Sequence, residues 1–263
     1  MSTLTVAIIQ HHLVWQDSEA NRVALAAQIA QAMPADLVVL PEMFNSGFSM
    51  APTLFAESMD GPTLQWLRQQ AAHHQSAICG SLAIRLDPVV DGRAGIANRL
   101  VFVTPAGDIE YYDKHHLFRM AQEHQHYVAG QQRKIVHYRG MRFLLQVCYD
   151  LRFPVFARNR GDYDAMIYVA NWPAARSRIW STLLAARAIE NQAFVLACNR
   201  VGKDGHDLEY SGDSALLDFT GSALAQGPAH QPCLVKAVLD LSTLQHFRQQ
   251  FPVALDADDF EFI

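Results

Sequence analysis

Phe143-Leu144-Leu145-Gln146-Val147-Cys148-Tyr149-Asp150-Leu151-Arg152-Phe153-Pro154 is an apolar run of strand length that passes straight into a cysteine and ends on a proline suited to a first helical turn. A strand that feeds a helix is the building unit of α/β proteins. It also sets Cys148 at the carboxyl edge of a sheet, near a helix N-terminus whose partial positive charge favours thiolate. A buried, inert cysteine is the competing reading, because free cysteine is among the most buried residue types.

Short apolar runs recur on either side, at 4–9, 36–40, 77–84, 100–104, 165–170, 194–198, 214–218 and 234–239, most of them flanked by turn residues. Segments with helical spacing lie between several of them: 19–33, with Val23, Ala26, Ala27 and Ala30 on its apolar face, then 63–73, 154–160 and 178–191. Strands alternating with helices predict an α/β fold. Pro105-Ala106-Gly107-Asp108 and Thr220-Gly221 read as turns that pair 100–104 with 109–112 and 214–219 with 222–226 as hairpins, so a mixed sheet is expected. No linker, repeat or composition break divides the chain. We therefore expect one domain over residues 1–263, with a tail from about residue 251 that ends in the acidic stretch 256–261.

Composition narrows the function classes. The 263 residues are 50% hydrophobic and 18% charged, which excludes disorder and implies a large interior. A net charge of −5 lacks the basic excess of a nucleic-acid binder. No apolar run approaches membrane-spanning length, and residues 1–10 have neither the basic start nor the long apolar core of a signal peptide. A cytoplasmic protein with no membrane partner is expected. Its four cysteines, Cys79, Cys148, Cys198 and Cys233, are too scattered for a disulfide framework or a Cys-x-x-Cys pair.

A nucleophilic thiol needs a proton acceptor and a group that holds the developing oxyanion. Leu37-Val38-Val39-Leu40-Pro41-Glu42 ends an apolar strand on a carboxylate, and Tyr111-Tyr112-Asp113-Lys114-His115-His116 sets a lysine just after a hairpin strand. Either residue alone reads first as a solvated strand end or surface loop residue. Together with Cys148 they form a set, each member directly after a strand. The lysine predicts a depressed thiol pKa, and partial burial a raised one for the glutamate. His115 and His116 offer a rival base. The remaining histidine groups, His11-His12, His73-His74 and His124-x-His126, lack ligand spacing, so no metal is expected. Phe44, Phe118, Tyr149 and Trp172 adjoin the strand ends and read either as core or as walls of a small pocket. Arg152, Arg176 and Arg178 are candidates for gripping a substrate carboxylate, with Arg152 inclined instead to pair with acids of its own turn.

These motifs resemble the nitrilase superfamily of carbon–nitrogen hydrolases over essentially the whole chain. The Glu-Lys-Cys motifs of that family stand as Leu40-Pro41-Glu42-Met43-Phe44, Asp113-Lys114-His115-His116-Leu117-Phe118 and Val147-Cys148-Tyr149-Asp150-Leu151-Arg152-Phe153-Pro154. Ala170-Asn171-Trp172-Pro173 and Arg187-Ala188-Ile189-Glu190-Asn191-Gln192 are further family-like stretches. Within the family, the segment from Lys114 to Gly130, including Phe118-Arg119-Met120-Ala121 and Glu123, resembles the bacterial omega-amidases.

The resemblance implies a four-layer αββα sandwich of two mixed β-sheets, no cofactor, and a homodimer or larger even homo-oligomer whose interface the apolar residues from Phe251 onward would help to form. It implies Cys148 as nucleophile, Glu42 as general base and acid, and Lys114 with the backbone N–H of Tyr149 as oxyanion donors. Glu123 supports the lysine or the substrate; Phe44, Phe118, Tyr149, Trp172 and Arg176 stand, from their position and chemistry rather than from the resemblance, as candidates for substrate contact. The implied reaction is hydrolysis of the terminal amide of short dicarboxylic 2-oxo acid monoamides, such as 2-oxoglutaramate and 2-oxosuccinamate, through a cysteine thioester. The same triad would serve another amidase, a carbamoylase or a nitrilase, and a binding member without catalysis would keep the fold alone.

Overall fold

The computed structural model describes residues 3–258. Its strands are β1 (Thr3–Gln10), β2 (Leu37–Val39), β3 (Ala77–Leu86), β4 (Gly95–Val103), β5 (Ile109–Asp113), β6 (Ile135–Tyr138), β7 (Met141–Val147), β8 (Ala165–Ala170), β9 (Phe194–Asn199), β10 (Val201–Lys203), β11 (Glu209–Ser211), β12 (Ala215–Leu217), β13 (Ala223–Gln226) and β14 (Cys233–Asp240). The helices are α1 (Ser18–Ala32), α2 (Pro62–His74), α3 (Pro88–Asp91), α4 (Glu123–His126), α5 (Pro154–Ala157), α6 (Ser177–Asn191) and α7 (Leu241–Gln250). None is long and apolar enough to cross a membrane.

The strands assemble into two six-stranded sheets, ordered β14-β1-β2-β3-β4-β5 and β13-β12-β9-β8-β7-β6, with β10 and β11 as a separate hairpin. Both are mixed. From β14 the first runs antiparallel, parallel, parallel, antiparallel, antiparallel. From β6 the second repeats that pattern.

Side-chain alternation builds four layers from these sheets. In β1, Leu4, Val6 and Ile8 join Phe143, Leu145, Val147, Ile167 and Val169 in a core between the sheets. Ala7 and Ile9 point the other way, against Leu25 and Ile29 of α1 and Leu64 and Leu67 of α2. In β8, Met166, Tyr168 and Ala170 face Trp180, Leu184 and Ala188 of α6. The central strands are covered on both faces, which is why they read as unbroken apolar runs rather than alternating ones.

Several details depart from the sequence reading. The α1 face turned to the core carries Asn21, Leu25, Ile29 and Ala32, whereas Val23 is 64% exposed. The alanine stripe misled because small residues are tolerated on either side of a helix. The helix expected at 154–160 is the single turn α5, and β4 begins at Gly95, with polar Asn98 and Arg99 buried inside it. The short strands β6, β10 and β11 and the helix α7 were not anticipated. In the tail, a 3₁₀ turn spans Val253–Asp256 and Phe251 and Leu255 are exposed. Phe260, Ile263 and the end of the acidic stretch lie outside the described residues.

Asp164 joins α7 to the second sheet. It accepts from Arg142 Nε at 3.0 Å and Nη2 at 2.8 Å, and from Arg248 Nη1 of α7 at 3.1 Å. Burial alone would raise its carboxyl, but Arg142, helped by Arg248, holds it below the usual carboxylate range. A depressed acid supplies its full stabilisation above the ordinary aspartate pKa of about 4 and loses it as pH falls through the folded value. Asp164→Asn should therefore cost about 1–2 kcal/mol at neutral pH, after screening of the partly exposed arginines, and flatten the acid side of a melting-temperature profile. Circular-dichroism melts with an unchanged acid slope would contradict this.

Candidate active site

Glu42, Lys114 and Cys148 each follow a strand end, and the chain is turned sharply at two of them. Beyond β2, Leu40 N–H donates to Cys79 O and Phe44 N–H to Ser81 O, while Met43, at φ 48°, turns the backbone next to Glu42. Beyond β5, Lys114 donates its N–H to Asn98 O and accepts from Gly130 N–H at 2.8 Å. Gly130 is required there, because a Cβ would lie 2.0 Å from Asp113 O. Beyond β7, Cys148 adopts φ 46°, a left-handed conformation rare for a side-chain-bearing residue, and opens a 3₁₀ turn over Cys148–Arg152. The helix α5 begins at Pro154, where the sequence places its first turn, and this tighter 3₁₀ turn fills the interval between the cysteine and that proline. Buried Asp150 braces the turn by accepting from Val147 N–H at 2.9 Å, Tyr112 OH at 2.8 Å and His116 N–H at 2.9 Å.

Lys114 Nζ lies 2.9 Å from Glu42 Oε1 and 3.0 Å from Glu123 Oε2, and all three side chains are at most 1% exposed. Glu42 Oε2 accepts the backbone N–H of Asn171 at 2.7 Å, and its Oε1 also accepts Asn98 Nδ2 at 2.8 Å. Glu123 Oε2 accepts Phe118 N–H at 2.6 Å and so closes the loop that carries the lysine. Burial would depress the Lys114 ammonium, but Glu123 and Glu42 overcome that and hold its pKa well above the ordinary lysine range. Glu123 is raised, by burial first, against the pull of Lys114.

The thiol contradicts expectation. Burial pushes Cys148 well above the ordinary thiol range, Glu42 adds to the rise through its charge and a hydrogen bond, and Lys114 offsets only part of it. The depressed value counted the lysine and neglected the two carboxylates that already neutralise it. The thiol Sγ lies 3.8 Å from Asn171 O.

Cys148 and Lys114 open onto a cavity of about 180 Å³, which Phe118, Tyr149, Trp172 and Arg176 also line. Phe44 does not. It is fully buried on the helix side of the first sheet, 6.2 Å from the Trp66 ring and against Gly80. The turn at Met43 sends residue 44 into that layer. Arg152 sits over the Trp172 ring at 5.2 Å rather than against Asp150, and Arg176 over Phe118 at 5.5 Å, whereas Arg178 is exposed and away from the cavity. His115 stacks on Phe156 with Nδ1 at Gly130 O, and His116 stacks on Phe153 with Nδ1 at Asp150, which commits both rings elsewhere. The first N–H groups of a helical turn find no partner within it, which leaves that of Tyr149 available beside the thiol. Among the described residues no cluster of three potential metal ligands occurs.

Sequence reasoning missed Asn98 and the cavity wall contributed by Phe48, Met50 and the hairpin of β10 and β11, notably Asp204 and Tyr210, and it gave Asn171 only as part of a family-like stretch, with no contact to Glu42. A polar residue inside an apolar strand was the available signal for Asn98. For the hairpin, three-residue strands around a polar loop gave none.

A sequence model of the carbon-nitrogen hydrolase family matches residues 5–249. The chain is 47% identical over 262 residues to "Omega-amidase YafV" of Yersinia enterocolitica, covering 99% of each. It is 34% identical over 224 residues to the "2-oxoglutaramate amidase" of Bacillus subtilis, covering 83% of each. Among solved structures, XC1258 from Xanthomonas campestris, described as a CN-hydrolase superfamily protein with an arsenic adduct in the active site, superposes with a TM-score of 0.95 at 45% identity, covering 100% of both chains.

Two outcomes follow from this geometry. A raised thiol predicts that iodoacetamide alkylates Cys148 more slowly than glutathione at neutral pH, with a rate that climbs through the alkaline range. Rapid, pH-independent labelling would contradict it. Gly130→Ala should force Lys114 from its place and lower turnover about 100-fold, the scale of a 1 Å misplacement. Unchanged turnover in a folded variant would count against the backbone contact.

Proposed function

Because the chain belongs to the carbon-nitrogen hydrolase family, we propose that it is an omega-amidase that hydrolyses the terminal amide of short dicarboxylic 2-oxo acid monoamides, 2-oxoglutaramate and 2-oxosuccinamate, to the 2-oxo acid and ammonia. The observation that carries this reading is the Lys114 ammonium held between Glu42 and Glu123 at the cavity that receives Cys148. The 45–47% identity to omega-amidases supports the reaction class.

In this reading Glu42 takes the thiol proton as Cys148 sulfur bonds to the amide carbon. The carbonyl electron pair moves to oxygen, where Lys114 Nζ and the Tyr149 N–H hold it. As the oxyanion collapses, the carbon–nitrogen bond breaks and Glu42 returns the proton to the departing ammonia, leaving a thioester. Water then gives a proton to Glu42 and its oxygen to the acyl carbon. The acid leaves, and the sulfur recovers its proton. Every step uses groups of this chain and water. The raised thiol fits a proton that moves only when substrate is present.

The cavity supports the substrate class. At about 180 Å³ it falls below the roughly 300–1,000 Å³ of drug-sized sites, which suits a short acyl chain. Arg152 and Arg176 hold their guanidinium groups over aromatic faces, leaving N–H edges for a carboxylate, while Asp204 is engaged by Tyr210 OH at 2.9 Å. We read the enzyme further as a single-domain, cytoplasmic homodimer or larger even oligomer; the exposed apolar Val155, Ile189, Phe251 and Leu255 favour association.

Ammonia release from 2-oxoglutaramate tests the reading. Wild type should be active and Cys148→Ala silent, and equal rates would sink the catalytic assignment. Inactivity of wild type on 2-oxoglutaramate and 2-oxosuccinamate, with turnover of nitriles or N-carbamoyl compounds, would sink the substrate assignment alone. Arg176→Ala should raise KM about tenfold or more for the acidic amide and leave a neutral amide such as butyramide unaffected.

A further inference from the structure

We propose that Asn98 and Asn171 are positioning residues for the general base: their amides grip Glu42 from two sides and keep the lone pair that takes the Cys148 proton aimed at sulfur. The proposal rests on the reading of Glu42 as that base. Glu42 Oε1 accepts Asn98 Nδ2 at 2.8 Å, beside Lys114 Nζ at 2.9 Å. Oε2 accepts the Asn171 backbone N–H at 2.7 Å and Asn171 Nδ2 at 3.5 Å, and that Nδ2 also donates to the Glu42 backbone O at 2.6 Å. The carboxylate and the backbone behind it are therefore fixed by chain segments other than their own. Asn98 comes from β4 of the same sheet, and Asn171 follows β8 of the opposite one. Asn171 O also accepts the Cys148 thiol at 3.8 Å, so one residue touches base and nucleophile together.

The two amides share a second mark. Asn98 Oδ1 and Asn171 Oδ1 are both buried without a hydrogen-bond partner in the protein. Asn45 Oδ1 and Gln146 Oε1 share that feature, so it is the donor ends of Asn98 and Asn171, not their carbonyls, that distinguish the pair around Glu42. What the arrangement supplies is a pair of uncharged donors. A further lysine or arginine would lock Glu42 as carboxylate, and an acid would repel it. A neutral amide steadies the charged form and holds the group in place, yet does not compete for the proton that Glu42 must accept and return twice in each turnover.

The test measures kcat and KM across about pH 5 to 9 for Asn98→Ala, Asn171→Ala and the isosteric Asn98→Asp and Asn171→Asp, with thermal melts to establish folding. The alanine variants should lose about 10- to 100-fold in kcat, the size of one hydrogen bond to a charged group, with KM within about threefold. The acidic limb of Asn98→Ala should move to higher pH, because the charged base has lost its 2.8 Å donor, whereas Asn171→Ala keeps the backbone N–H on Glu42 and loses chiefly the 2.6 Å hold on the Glu42 carbonyl, so its limb should move less. The aspartate variants preserve shape and should lose at least as much, which keeps the test open if an alanine variant fails to fold. Folded variants with kcat within about twofold and an unmoved limb would overturn the proposal. Glu42→Gln separates the two levels: activity in that variant would sink the base assignment itself, while its silence beside unaffected asparagine variants would sink the positioning role alone.

Discussion

Three buried charges govern this molecule. Lys114 lies between Glu42 and Glu123 with almost no exposure, so one ammonium meets two carboxyl groups inside a protein interior. Each ion costs several kcal/mol to take out of water, and mutual attraction repays that only where geometry is tight and the remaining lone pairs are met. Here they are met by Asn98, Asn171 and the Phe118 N–H. Any movement of the strand ends that hold these groups would expose an unpaired charge to a medium that stabilises it poorly. A rigid frame is a condition for the trio to exist.

Two sheets with one repeated pairing pattern supply that frame. β2 is the third strand of the first sheet and β8 the third of the second, counted from β14 and β6. Glu42 follows β2 and Asn171 follows β8, so the bond between them joins equivalent strand ends across the sandwich. Cys148 follows β7, the neighbour of β8, and reaches Asn171 O. Glu42 and Cys148, the proposed base and nucleophile, thus come from different sheets and meet because the sheets are packed together through the core of Val6, Val39, Leu145 and Val169. Core packing and catalytic geometry are the same constraint at different depths.

Much of this was legible in the sequence, for physical reasons that also explain the failures. Strands covered on both faces are unbroken apolar runs, and a charged residue or cysteine after such a run sits at a sheet edge; Glu42 and Cys148 are visible that way, and Lys114 through the hairpin whose second, half-exposed strand it follows. Partners that arrive from elsewhere are not. Asn98 lies within β4 and points at a carboxylate 56 positions away, and the hairpin of β10 and β11 has too few residues for any period. Phe44 was misread because one left-handed residue, Met43, reverses which layer its successor enters. The thiol was misread because sequence adjacency reveals that a lysine exists but not what already neutralises it.

The raised thiol follows first from burial and then from the charges around it. Lys114 is the one ammonium between two carboxyl groups, so a thiolate beside them would be a third anionic group around a single cation. Lys114 cannot prevent that, since its charge is already shared between two carboxylates. In the proposed chemistry the proton moves from sulfur to Glu42, and the negative charge moves from carboxylate to sulfur and then to the substrate oxygen. The net charge of the buried group stays constant throughout. Lys114, facing a neutral Glu42 and still held by Glu123, turns the attraction it had given Glu42 to the oxyanion at the moment that ion forms. A site built on a preformed thiolate would hold its charge before substrate arrives; this one keeps it on a carboxylate steadied by two amides, and releases it only by the proton transfer that begins the reaction.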